Sequence, residues 1–208
     1  MKTIYSEQHR LRDAKTELHG GQLVTPFERP SRADTIIKAI GQSNLGDILE
    51  PETFAMDPVR AVHSDDFIAF LETAWQEWQD AGFTGEAIAS SWPARRMQSR
   101  LPDFIDGKIG YYALAAETSI TEGTWAAALA SKDVALTGAK VLLQGERGIF
   151  SLCRPPGHHA AIDMFGGYCF FNNAAIAAQY LLDQGAKRTA ILDIDFHHGN
   201  GTQDIFYD

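Results

Sequence analysis

The sequence predicts an α/β fold, a mostly parallel sheet with helices on both faces, and three observations carry that expectation. Two short apolar runs, residues 148–153 and 189–194, are bounded by charge and glycine and read as buried strands of a parallel sheet. Between them, residues 172–184 have the composition of a helix, with Asn172 or Asn173 as N-cap and Gly185 as its stop. Strand, helix and strand in that order make a right-handed crossover, so the loops that follow both strands emerge at one sheet edge. Open α/β sheets bind their ligands at that edge.

The remaining elements follow in chain order. Residues 1–5 read as a first strand with no signal peptide ahead of it. Residues 31–42 place Ala33, Ile36, Ile37 and Ile40 at helical spacing behind a Ser31 cap. Residues 64–82 form the clearest helix, capped by Ser64, with Phe67, Leu71, Ala74, Trp75 and Trp78 as a core stripe. Residues 83–108, which hold Trp92-Pro93, Leu101-Pro102 and the solvated pair Arg95-Arg96, show no sustained period and read as a long loop, either functional or structural filler. Residues 124–144 read as a helix with Trp125, Leu129, Leu136 and Leu143 inward and Lys132 and Asp133 outward.

Chemistry concentrates after the two crossover strands. If the second strand stays extended past its end, Asp193, Asp195 and His197 share one face while Ile194 and Phe196 take the other. A carboxylate and an imidazole two residues apart are a donor pair for a divalent metal, with a strand-terminal Asp cap and locally satisfied histidines as the alternative. After the first strand, Arg154-Pro155-Pro156-Gly157-His158-His159 is held rigid by its prolines and glycine. His158 and His159 alone would read as surface or structural histidines. Converging with the Asp/His cluster on one edge, they read as catalytic.

The motifs at 154–159, Gly-Gly-Tyr-Cys-Phe-Phe-Asn-Asn at 166–173 and Asp-Ile-Asp-Phe-His-His-Gly-Asn-Gly-Thr at 193–202 resemble the zinc-dependent histone deacetylase family. Lys15-Thr16-Glu17-Leu18 and Gln203-Asp204-Ile205-Phe206-Tyr207 most resemble its bacterial acetylpolyamine amidohydrolase branch. The resemblance runs over essentially the whole chain and implies the arginase-deacetylase fold. Position by position it implies Asp195 and His197 as zinc ligands, His159 as general base and acid, and His158 as the electrostatic partner. It puts Asp193 behind His158 and Asn200 behind His159 as orienting groups, and gives Asp193 a second match to a structural monovalent-cation site, usually potassium. Gly167 would face the scissile amide, Tyr168 line the acyl tunnel and His19 stand at the entrance. Asp106 and Glu117 are the candidates for holding a distal ammonium. The 83–108 segment resembles an insertion that forms homodimers and narrows the entrance.

That assignment makes chemical sense, because amide hydrolysis needs a polarised carbonyl, an activated water and a proton for the departing amine. Asp and His donors accept zinc and ferrous iron alike. A binuclear arginase-like centre is disfavoured, since the bridging carboxylate it requires two residues after His197 is replaced by Gly199. The family's third zinc ligand and its transition-state tyrosine match positions beyond 208, so the chain is expected to be the N-terminal portion of a single catalytic domain; Asp163 is the weak in-chain substitute for the missing ligand. The expected activity is removal of acetyl groups from acetylated polyamines. An acetyl-lysine protein or peptide deacetylase is the enzymatic rival, and an inactive metal-binding fragment the rival of another class.

Composition agrees with a globular enzyme. The net charge of −9, from 18 basic and 27 acidic residues, argues against a nucleic-acid partner and suits a cationic amine, although acidity alone also serves solubility. No apolar run is long enough to cross a bilayer, so a cytoplasmic location with no membrane partner is expected. Cys153 and Cys169 are expected to be free thiols there.

Overall fold

Strand β1 (Lys2–Ile4) occupies the centre of a three-stranded parallel sheet, between β4 (Ile48–Leu49) and β5 (Ile149–Ser151). Thr3 pairs with Ile48 on one side and Phe150 on the other. The structure is a computed structural model that describes residues 1–94 and 96–207, so Arg95 of the Arg95-Arg96 pair lies outside the described residues. Residues along β5 alternate as a pleat requires. Phe150 packs with Tyr5, Leu152, Ala33 and Ile37 under helix α1 (Pro30–Gln42), while Ile149 and Ser151 meet Gly138 of helix α5 (Thr124–Leu143) on the other face. Helices therefore cover both faces.

The main core lies beyond α5. There α3 (Asp65–Asp80) buries Phe67, Leu71, Ala74 and Trp78 against Tyr112, Phe165, Phe170, Phe171 and Ile176. Ser64 stands at the N-cap of α3 although its hydroxyl makes no capping bond. Helix α6 (Asn173–Asp183) is capped as expected, the Asn172 side chain accepting from the Ala175 amide at 3.1 Å, and Gly185 follows it at φ 101°.

Several expectations are corrected. Residues 189–194 form no strand: Leu192 and Ile194 are 87% and 90% exposed, and a cavity of about 470 Å³ separates Ile191 to Asp195 from Ile149 and Ser151 of β5. A strand needs a ladder partner, and across that gap none is in reach. Lys132 and Asp133 point inward rather than out. They form a buried ion pair, 2.7 Å long, that grips both the amide and the carbonyl of Phe54, while Leu143 is 45% exposed. The 83–108 segment ends in helix α4 (Ile105–Tyr112), hidden from periodicity by Gly107 and Gly110. Those glycines let the helix lie against Pro102 and the Ser91 carbonyl, where a Cβ would overlap. Also unforeseen are the hairpin of β2 (Glu17–His19) and β3 (Gln22–Val24), turning through Gly20 and Gly21 at φ 57° and 79°, and two short helices, α2 (Asp57–Arg60) and α7 (Asn200–Ile205).

One buried histidine ties this scaffold together. His63, 3% exposed, donates from Nδ1 to the Ala161 carbonyl at 2.8 Å and accepts the Asn172 amide at Nε2 at 2.9 Å. Burial, against the pull of the Ala161 and Ile162 backbone, brings its pKa down to about 4. The unfolded chain, with an ordinary histidine near pH 6.5, then binds more protons below that pH, so stability falls as pH drops from about 6.5 toward 4, by about 1.4 kcal/mol per unit at most. Urea midpoints measured across that window should fall, and His63→Gln should flatten the dependence; an equal slope in the variant would refute this source.

Candidate active site

The two histidine clusters meet in one cavity of about 830 Å³, lined by His158, His159, Asp195, His197 and Asn200 together with Gly167, Tyr168, Glu117 and His19. Their convergence depends on how α7 seats itself. The amides of Gly201 and Thr202 donate to the His158 carbonyl at 3.0 and 3.2 Å, and a Cβ at Gly201 would overlap the backbone of His159 and Ala160. Glycine there allows the close approach that brings Asn200 beside His159. Asn172 reinforces the junction, its amide nitrogen donating to the Ala160 carbonyl and to Thr202 Oγ1 at 3.1 and 3.0 Å.

Each histidine of the pair has an orienting group. His158 Nδ1 lies 2.8 Å from Asp193 Oδ2, and His159 Nδ1 lies 2.5 Å from Asn200 Oδ1. The two rings stand 4.1 Å apart, and the His197 ring is 6.0 Å from that of His159. Because Asn200 Oδ1 only accepts, Nδ1 of His159 carries the proton, and Nε2 is the nitrogen left for other chemistry. Burial draws the Asp193 carboxyl upward, but the Asp195 amide and the His158 ring outweigh it and hold it below the usual carboxylate range. Asp195 is also held low, first by the His197 amide donating to it.

The pair expected to hold a metal, Asp195 and His197, is open to solvent. Asp195 Oδ1 and His197 Nδ1 are 3.3 Å apart. Two ligands at about 2.0–2.1 Å from a tetrahedral ion are separated by roughly 3.3 Å, so oxygen and nitrogen here fit two corners of such a site. Among the described residues no group of three His, Cys, Asp or Glu side chains completes it. Asp163 does not line the cavity; its carboxyl is raised by burial and by Asp204 and Asp66.

The remaining candidates divide. Gly167 and Tyr168 form a left-handed turn, φ 54° and 67°, against the histidine pair, and a Cβ on Gly167 would overlap the His159 ring. Glu117 is committed to this turn, Oε1 accepting the Gly167 amide at 2.8 Å. His19 packs edge-on to Phe27, ring centres 5.4 Å apart. Asp106 is the exception: on the first turn of α4 it accepts from Ser90 Oγ at 3.2 Å and does not line the cavity. Phe196 lines the cavity yet is 96% exposed.

Sequence reasoning missed the buried base of this site. Arg154 donates from Nε to Glu28 Oε1 at 2.8 Å and from Nη1 to the carbonyls of His9 and Arg12 at 2.5 and 2.8 Å. Arg12, 1% exposed, donates to the Ser119 carbonyl at 3.0 Å and lies 4.9 Å from the Phe170 ring centre. Arginine ahead of the His-His loop was the only available signal.

Known proteins resemble this chain over its whole length. Residues 26–208 match the histone deacetylase domain. The whole chain is 58% identical to an acetylpolyamine amidohydrolase of Mycoplana ramosa, covering 61% of it, and 54% identical to acetylpolyamine amidohydrolase 2 of Pseudomonas aeruginosa, covering 60%. It superposes on the crystal structure of an acetylpolyamine aminohydrolase from Burkholderia pseudomallei with a TM-score of 0.89 at 36% identity, over 100% of this chain and 60% of that one. The fold class is thus the expected one, and the chain spans about three fifths of the length of these relatives.

Proposed function

The chain belongs to the histone deacetylase family, whose members are generally metal dependent, and from that membership we propose that it forms the N-terminal part of a catalytic domain that hydrolyses acetylated polyamines. One observation carries the proposal: His158 and His159, each backed by its own orienting side chain, share a cavity with the Asp195/His197 donor pair. Asp195 and His197 would hold the ion, zinc in our reading, with ferrous iron the alternative. A bound ion of this kind polarises a carbonyl and lowers the pKa of water toward roughly 7.

The chain's own residues supply the rest. His159 Nε2, with Nδ1 fixed by Asn200, takes a proton from the attacking water and returns it to the departing amine. His158, held by Asp193, orients and polarises that water. Gly167 leaves room for the amide and Tyr168 walls the acyl group. Glu117 and the acidic charge of the chain favour a cationic substrate. Asp193 would also serve a structural potassium site.

Exposed Trp92, Met97, Leu101 and Phe104 support pairing of two copies through the 83–108 segment. No described helix is long and apolar enough to cross a membrane. Cys153 and Cys169 are free thiols, as a reducing compartment keeps them, and the location in our reading is the cytoplasm. Neither nucleic acid nor a membrane is a partner in this reading.

The test is hydrolysis of N-acetylputrescine by the chain and by the chain fused to the C-terminal two fifths of the Mycoplana ramosa relative, with bound metal counted by elemental analysis. Turnover by the fused form is expected. Failure of both forms on any acetylated amine, with Zn²⁺, Fe²⁺ or Co²⁺ supplied, would refute the activity. Preference for acetyl-lysine peptides would move the substrate to the rival class.

A further inference from the structure

The cavity wall that holds Asp195 and His197 also contains a carboxylate to which neither the proposed activity nor the family resemblance gives a role. Glu17 opens β2 and is 2% exposed. Its Oε1 accepts from the Tyr168 hydroxyl at 3.0 Å, and its Oε2 accepts from the Phe27 amide at 3.1 Å. The arginines nearest this corner, Arg154 and Arg32, are engaged with Glu28 instead. A buried carboxylate loses its hydration and persists only where its oxygens are satisfied.

Here two donors approach from separate parts of the fold. The Phe27 amide can only donate, and the Tyr168 hydroxyl donates because a carboxylate has no proton to offer it. Each carboxylate oxygen takes one donor, and the bond from the hydroxyl is charge-assisted. Glutamine would keep one acceptor for the amide and could donate its NH₂ to the hydroxyl, so the substitution that breaks both contacts is one that removes both groups, as Glu17→Leu does.

The residue on the far side of the first contact is strained. Tyr168 sits at φ 67°, a left-handed conformation that a bulky side chain seldom adopts. Such a conformation survives where surrounding contacts over-determine it, and such sites concentrate where function needs a fixed geometry. Three contacts do so: Gly167 N–H to Glu117, Tyr168 N–H to Thr118 Oγ1 at 2.8 Å, and the Tyr168 hydroxyl to Glu17. Only the last fixes the ring itself.

We propose that Glu17 is a positioning residue that clamps the Tyr168 ring to the Phe27 rim, making one rigid wall of the cavity that holds His158 and His159. Phe27 carries the His19 ring against it, so the clamp reaches the entrance as well. Fixing the wall matters to binding only if the amidohydrolase reading holds, but the clamp is a property of the fold and is tested separately.

The chain is labelled with 3-fluorotyrosine, and the Tyr168 ¹⁹F line is identified by its loss in Tyr168→Phe. One narrow line is expected. Glu17→Leu should broaden or split it and shift the Phe27 amide in a ¹⁵N spectrum. Glu86→Leu is the control, since Glu86 holds the adjacent residues Lys15 and Thr16 without touching Tyr168. Tyr168→Phe breaks the same contact from its other end and should move the Phe27 amide too, which keeps the clamp testable if Glu17→Leu does not fold. An unchanged Tyr168 line and Phe27 amide in Glu17→Leu, or equal changes in Glu86→Leu, would overturn the clamp. Titration with N-acetylputrescine should show affinity weakened about tenfold by Glu17→Leu and not by Glu86→Leu. A wild-type chain whose spectrum ignores N-acetylputrescine counts against the substrate, and the two NMR signals then decide for or against the clamp by themselves.

Discussion

Replacing Arg154 by alanine is expected to destabilise the protein by about 3–5 kcal/mol, a large share of the roughly 5–15 kcal/mol by which an ordinary domain is stable. Arg154 and Glu28 are each 3% exposed at the side chain and paired at 2.8 Å. Truncation leaves the Glu28 carboxylate buried with only Arg32 at 3.8 Å, and strips the carbonyls of His9 and Arg12 of their donor. Arg12 makes matters tighter. Burial, with Arg154 adding to it and Glu28 opposing, already pushes its pKa down to about 10, so a second buried guanidinium occupies the same dry corner. Removing both members of the pair as Arg154→Met with Glu28→Leu should recover much of the loss, because a buried pair is costly to halve and far less costly to replace outright. Urea unfolding at pH 7 measures both effects. A loss below about 1 kcal/mol for Arg154→Ala would mean that water reaches this corner and the charges are not buried in solution.

What the sequence revealed and what it hid have the same physical origin. Helices α1, α3, α5 and α6 were legible within a residue or two because their apolar periodicity is set by neighbouring residues alone. The meeting of the loop at 154–159 with the run at 193–200 was legible too, since each carries its candidate side chains within a few positions. Residues 189–194 misled because an apolar run reports a wish for burial and not the presence of a ladder partner. Lys132 and Asp133 misled because charge reads as exposure unless the partner is known, and Phe54, which satisfies both, lies 78 residues away. The contact of Glu17 was invisible for the same reason: its partner Tyr168 is 151 residues distant, and no local pattern encodes that meeting. Asp106 lies off the described cavity because resemblance transfers a position without the orientation of the helix turn that carries it.

His159→Ala should lower the turnover number about 10²- to 10⁴-fold in whichever form hydrolyses N-acetylputrescine, with a much smaller change in KM. The asymmetry between the paired histidines makes this residue the test. Behind His158 stands a carboxylate, Asp193, and behind His159 a neutral amide, Asn200. A ring donating from Nδ1 to an amide carbonyl keeps one tautomer and presents an unprotonated Nε2, which is the form a proton acceptor needs. Asn200→Ala removes that orientation while leaving the ring, and should cost about 10- to 100-fold. The two losses should not add in the double variant, because Asn200 acts through His159. Metal content separates this role from ligation: His159→Ala should bind metal as the parent does, whereas His197→Ala should lose it. If His159→Ala stays within about threefold of the parent, proton transfer rests on another group and the assignment of the pair falls with it.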